Sequence, residues 1–180
     1  MMRSRTRRDP GAEPVTDPDA AREAALKLLE RTRRTRADLV RRLLDRGFAA
    51  PTVDEVLDRL EHVGLVDDTE YARAFLAGRW GRRPTGWTRL RQELRGRGVG
   101  DEAIDAARAI LEEREGGAAD EVATARRVIV QAERRYASLE PRVRQQRLYA
   151  LLARRGFDGD TIRRALAIRE DDSGRDPGED

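Results

Sequence analysis

Cysteine is absent from the 180 residues, which removes disulfides and thiolate metal sites together. Histidine occurs once, as His62, with no nucleophile in a recognisable setting around it, so neither a Ser–His–Asp nor a Cys–His set can be assembled. Aromatic residues make up only 4% of the chain, which points to thin cores of Leu, Val, Ile and Ala. No apolar run approaches the roughly 20 residues of a membrane-crossing helix, and no membrane association is expected. The first fourteen residues are basic and polar with no apolar segment behind them, so no secretory signal is expected and the compartment is read as cytoplasmic. A Gly-rich phosphate loop is also missing. The chain is read as a non-enzyme that takes neither cofactor nor metal.

What is present is a pattern that occurs three times. It runs Leu39, Leu43, Arg46-Gly47-Phe48, then Leu90, Leu94, Arg97-Gly98-Val99, then Leu148, Leu152, Arg155-Gly156-Phe157. The leucines stand eight and four residues before each glycine, and the glycines are 51 (98 − 47) and 58 (156 − 98) residues apart. Leucines at i and i+4 form one stripe of a helix, and a glycine just past it can take the left-handed conformation that ends the helix. Apolar residues six and nine past each glycine (Val53 and Val56, Ile104 and Ala107, Ile162 and Ala165) read as the face of a second helix. A further helix precedes each leucine pair, near residues 20–31, 67–80 and 121–136. The fold class is therefore all-α, with three tandem three-helix repeats. The expected division is a disordered tail 1–19, repeats 20–66, 67–116 and 117–170, and a disordered acidic tail 171–180.

Local chemistry supports these boundaries. Thr35 with Asp38, and Asp67 with Glu70, resemble capping boxes. Pro51 and Pro141 suit the first turn of a helix. Gly64 ends a helix, with Leu65 following it as the apolar residue that packs back. Asp67 and Asp68 are read as helix-capping acids rather than metal ligands, and His62 as a residue at a helix C-terminus.

Positive charge is unevenly spread. Between the tails, residues 22–170 carry 32 basic against 25 acidic residues, a net of +7, and Lys27 is the only lysine. From Arg79 to Arg97 there are seven arginines (Arg79, Arg82, Arg83, Arg89, Arg91, Arg95, Arg97) against Glu93 alone, with Trp80 and Trp87 in the same stretch. Trp87 is read as core, while Trp80 could stack on a base or a partner. Arginines in a loop and on an open helix face suit phosphates or carboxylates. The third repeat is basic too, twelve against seven, with the pairs Arg126-Arg127, Arg134-Arg135, Arg154-Arg155 and Arg163-Arg164, whereas the first is nearly balanced at ten against eight. A ligand preferring the second and third repeats is the expectation.

The assembled motifs resemble the RecX family of recombination regulators. Gly64-Leu65-Val66-Asp67-Asp68-Thr69-Glu70-Tyr71-Ala72 looks like that family's signature between its first and second repeats, and Arg33-Arg34-Thr35-Arg36-Ala37-Asp38-Leu39 like its entry to the first leucine helix. The stretch from Gly86 to Val99 looks like its middle repeat, and Arg154-Arg155-Gly156-Phe157 fits the third. Trp87 stands where the family often has proline and Thr35 where it often has serine. The resemblance covers about residues 20–168. It implies a curved rod of three repeats that binds the RecA–single-stranded-DNA filament and suppresses its ATPase, extension and strand exchange. A structural role is implied for Gly47, Gly64, Leu65, Asp67, Asp68, Tyr71, Ala72, Gly98 and Gly156. The competing expectation is a helical-repeat DNA-binding protein acting without RecA. Nothing reads as a dimer seam, so a monomer is expected.

Overall fold

The computed structural model describes residues 13–79, 84–114 and 120–173. Among them are nine helices: α1 (Pro18–Leu29), α2 (Arg36–Leu44), α3 (Ala50–His62), α4 (Asp68–Arg79), α5 (Trp87–Arg95), α6 (Asp101–Arg114), α7 (Glu121–Tyr136), α8 (Pro141–Arg154) and α9 (Gly159–Ser173). The described residues contain no strand, only one isolated bridge between Val15 and Phe48. None of these helices is long and apolar enough to cross a membrane.

The recurring pattern forms the structure it encodes. Leu39, Leu43, Leu90, Leu94, Leu148 and Leu152 are all buried, as are Val53, Val56, Ile104, Ala107, Ile162 and Ala165. Each such leucine contributes roughly 1.5–3 kcal/mol by leaving water. Gly47, Gly98 and Gly156 have φ of 94°, 81° and 84°, the left-handed conformation that lets the chain reverse after each leucine helix. Pro51 and Pro141 occupy the first turns of α3 and α8.

The described chain groups into two compact units. The first holds the residues up to Ala72 together with Arg95–Asp105, and the second holds Arg73–Leu94 with the residues from Ala106 onward. The helices α4, α5 and α6, expected to form a middle repeat, are thus shared between the units. In the first unit α1, α2 and α3 enclose Ala21, Ala25, Leu28, Leu39, Leu43, Val53, Val56, Leu57, Leu60 and Val66. Part of the expected N-terminal tail closes onto this unit: Val15 N–H donates to the Gly47 carbonyl, and Ala49 N–H to the Val15 carbonyl, both at 2.8 Å. Asp17 then caps α1, accepting from the Asp19 and Ala20 N–H groups. In the second unit α7, α8 and α9 enclose Val122, Ala125, Val128, Ile129, Leu148, Leu152, Phe157, Ile162, Ala165 and Leu166.

The stop after α3 departs from the expectation. Leu65 is 54% exposed, and Val66 is the buried residue. Both Leu65 N–H and Val66 N–H donate to the Leu60 carbonyl, and this tight reversal past Gly64 turns the second apolar residue inward in place of the first.

Candidate nucleic-acid interface

The ends of α2 and α5 are held by the same device. Thr35 begins α2, where its Oγ1 accepts the Asp38 N–H at 3.1 Å and donates to the Arg97 carbonyl at 2.8 Å. The next N–H, that of Arg36, donates to Asp68 Oδ1 at 2.9 Å. In the second unit Gly86 precedes α5 and donates its N–H to the Arg155 carbonyl at 2.9 Å, while the Trp87 N–H donates to the Glu121 carboxylate. A leucine helix therefore starts on two fixed acceptors. One is the carbonyl just before the next pattern glycine, and the other is an acid opening α4 or α7. Burial pushes the Asp68 carboxyl above the ordinary range, opposed by the Arg36 N–H and aided by the charge of Asp67. Burial likewise raises Glu121, against the Trp87 N–H. The approach is close enough to require glycine. A Cβ on Gly98 would lie 2.2 Å from Ala37 Cβ, one on Gly156 2.4 Å from Arg89 Cβ, and one on Gly86 2.2 Å from the Gly156 backbone.

Beside the first of these contacts lies a cleft of about 660 Å³ within the first unit. Its lining includes Arg33, Arg34, Arg41, Arg42, Arg95 and Arg97, with Tyr71 and a single acid, Asp38. Asp38 gathers Arg34 (2.8 Å), Arg42 (2.7 Å) and Arg41. Burial alone would raise its carboxyl, but hydrogen bonds from Arg42 and Arg34, the Arg42 charge and a bond from Arg41 carry it below the ordinary range. At the rim Arg33 pairs with Glu70, Arg95 makes a two-pronged pair with Asp101 at 2.7 and 2.8 Å, and Arg97 Nη1 donates to the Tyr71 hydroxyl at 3.3 Å. Two residues from Asp38, Arg36 does the opposite: it draws together Asp54, Asp58 and Glu61 of α3. The near-balance of charge in the first repeat is thereby sorted in space. Three acids of α3 gather on Arg36, and the cleft stays basic.

The family description "RecX, first three-helix domain" matches residues 21–60, its second domain residues 67–107 and its third residues 119–166. The chain belongs to the RecX family. A regulatory protein RecX from Halorhodospira halophila is 39% identical over 161 residues, covering 88% of this chain and 94% of the relative. One from Streptomyces coelicolor is 33% identical over 165 residues, covering 91% and 85%. The crystal structure of RecX from Lactobacillus salivarius superposes with a TM-score of 0.75 over 85% of this chain and 96% of that one; at 19% identity it speaks for the fold alone. A crystal structure of a regulatory protein RecX at 25% identity gives a TM-score of 0.70, covering 83% of this chain and 73% of the other.

In this RecX chain Asp67 caps α4 through the Glu70 N–H at 2.8 Å, whereas Asp68 reaches α2 instead of its own helix. Ala72 is fully buried and Tyr71 half-buried. The arginines singled out from Arg79 to Arg97 do not share one setting. Arg79 and Arg89 both pair with Glu93, and Arg79 also lies over the Phe75 ring at 4.8 Å. Arg91 is half-buried in the second unit, while Arg95 and Arg97 belong to the cleft of the first. Trp80, Arg82 and Arg83 lie outside the described residues. On α7, Arg126, Arg127, Arg134 and Arg135 are exposed, Arg127 donating to Thr124 Oγ1. At the end of α8 Arg154 is exposed and Arg155 half-buried, with their carbonyls engaged by Arg89 Nη1 and Gly86 N–H. Trp87, expected in the core, is only half-buried: the Arg108 guanidinium covers its ring at 4.5 Å. Sequence reasoning missed Arg33, Arg34, Arg41 and Arg42 as one group. The available signal was their spacing of three to five residues around Asp38 on a helix start.

Proposed function

We propose that this chain is a non-enzymatic regulator of the RecA recombinase. In this reading it binds the RecA filament on single-stranded DNA in the cytoplasm, as a monomer, and suppresses ATP hydrolysis, filament extension and strand exchange. Membership of a family of regulatory proteins carries the reading. The arginine cleft supports it, because a protein that works on a DNA-coated filament meets a dense row of phosphates. The division into two units also suits a filament, since two linked contacts on one lattice add avidity without new chemistry.

The test is RecA ATPase on single-stranded DNA, titrated with the full chain from far below to equal stoichiometry. Inhibition at low ratios is expected from blocked filament ends, and inhibition only near equal ratios from coating. Unchanged hydrolysis and unchanged filament assembly at equal ratio refute the reading. The cleft also favours a second one, a DNA-binding protein acting without RecA. Tight sequence-selective duplex binding in the absence of RecA would establish that reading instead.

A further inference from the structure

We propose that the arginine cleft formed by the start of α2, Tyr71 and the Arg95–Gly98 segment is a seat for the phosphodiester backbone of single-stranded DNA. The inference rests on the reading above and names the surface through which the chain would meet the filament's nucleic acid.

Three observations carry it. The first is the imbalance of donors and acceptors. Six guanidiniums line the cleft, while three carboxylates engage them, Asp38 inside it and Glu70 and Asp101 at the rim on Arg33 and Arg95, so the group keeps a net positive charge. A guanidinium presents five N–H donors and a carboxylate about four acceptor positions, so three arginines on one aspartate leave positive charge and donor capacity in excess. The second is preorganisation. Asp38 is 19% exposed and holds Arg34, Arg41 and Arg42 in place, so an arriving phosphate need not freeze three long side chains from scratch. Arg33 and Arg41 nonetheless remain 63% and 68% exposed, within reach of a ligand. The third is the wall. Gly96 and Gly98 line one side, and Tyr71 contributes an aromatic ring. A basic groove with an aromatic wall is the arrangement that holds the backbone and stacks a base of an unpaired strand. An acidic peptide would satisfy the arginines but has no flat base to lay against Tyr71, and a duplex keeps its bases inside.

The experiment uses the full chain and a labelled oligothymidylate, with binding followed by fluorescence anisotropy across a salt series. The variant Arg33→Ala/Arg41→Ala/Arg42→Ala is compared with wild type and with Arg59→Ala, which removes an exposed arginine paired to Glu55 on α3. The slope of log affinity against log salt falls by about 0.7 for each phosphate that is no longer neutralised, so the triple variant should lose about 2 and Arg59→Ala nothing. Circular dichroism verifies its folding, and the single Arg41→Glu, at an exposed position, is measured in its place if it is unfolded. A wild-type slope in the triple variant overturns the proposal. So does a loss of slope in Arg59→Ala equal to that of the cleft variant, wild type that ignores oligothymidylate, or tighter binding of labelled polyglutamate. RecA ATPase is read separately. Cleft-dependent DNA binding without any effect on RecA refutes the regulatory reading and leaves the cleft standing. Inhibition of RecA with DNA binding indifferent to the triple variant refutes the cleft alone.

Discussion

Gly98 faces Ala37 so closely that a methyl group on the glycine would stand 2.2 Å from the alanine Cβ. Gly98 also has φ 81°, where an L side chain costs about 1–2 kcal/mol. The two effects are separable. Gly98→Ala should lose that amount plus roughly 1–3 kcal/mol of overpacking, since Ala37 sits on a helix and cannot swing aside. Adding Ala37→Gly should restore the overpacking part and leave the backbone part. Urea unfolding of the two single variants and the double variant measures this, and a double variant no more stable than Gly98→Ala would show that the approach is loose.

Asp68 makes a different test of the same region, because its carboxylate is the acceptor for the first N–H of α2. Asp68→Ala removes that acceptor and should cost about 0.5–2 kcal/mol, as other lost helix caps do. Asp68→Asn keeps an acceptor oxygen and removes the charge. Because burial raises the folded-state value of this carboxyl, the folded protein holds its proton more tightly than the unfolded chain. The contribution of Asp68 is then greatest at low pH and declines as pH rises through the unfolded value, about 3.9, to the higher folded one. Asp68→Asn should therefore match wild type in acid and equal or exceed it at pH 7. Loss of stability in the asparagine variant at pH 7 would mean that the charge itself supports the α2 terminus.

The parts of this fold legible in the sequence are those whose cause is local. Paired leucines, a glycine eight residues after the first of them and apolar residues six and nine further on specify a helix, its stop and the next helix within about twenty residues. Each stands where the spacing puts it. What stays hidden depends on chain segments meeting from far apart. Arg33 and Arg42 share a cleft with Arg95 and Arg97 only because the Gly98 reversal lies against Ala37. Charge counted by repeat averages away the sorting of acids onto Arg36 and arginines onto Asp38. Asp68 reads as a cap for its own helix because sequence spacing sees only neighbours, and the N–H it serves is 32 residues away. Gly86 has the composition of a loop around it, although its bare Cα is what admits the Gly156 backbone.

Asp38 should impose the opposite pH signature from Asp68. Its carboxyl is held below the ordinary range by the guanidiniums around it, so the unfolded chain takes up its proton first as pH falls. Its contribution is fully present above the unfolded value, about 3.9, and is lost as pH falls through the lower folded one. Asp38→Asn should be less stable than wild type at pH 7, with the difference closing in acid. It also leaves three arginines without their shared counter-charge, so added salt should narrow the gap at neutral pH. A stability difference that persists unchanged into acid would assign the role of Asp38 to packing rather than charge.

Arg108 and Trp87 give a reporter for the second unit. The guanidinium lies 4.5 Å from the indole centroid while its Nε donates to Glu112 at 2.7 Å, so the cation is fixed over the ring face. Such an interaction contributes about 0.5–1 kcal/mol at a partly exposed position. In a Trp80→Phe background, where Trp87 is the remaining tryptophan, Arg108→Ala should uncover the ring, shift its emission to longer wavelength and lower stability by about that amount. Arg108→Lys keeps the charge but loses the planar stacking surface, and should recover part of the stability. Glu112→Ala frees the guanidinium from its anchor without removing it, so its effect should be smaller than that of Arg108→Ala. Emission that does not respond to Arg108→Ala would show that the indole is shielded by its other neighbours and that the arginine lies over the ring without holding it.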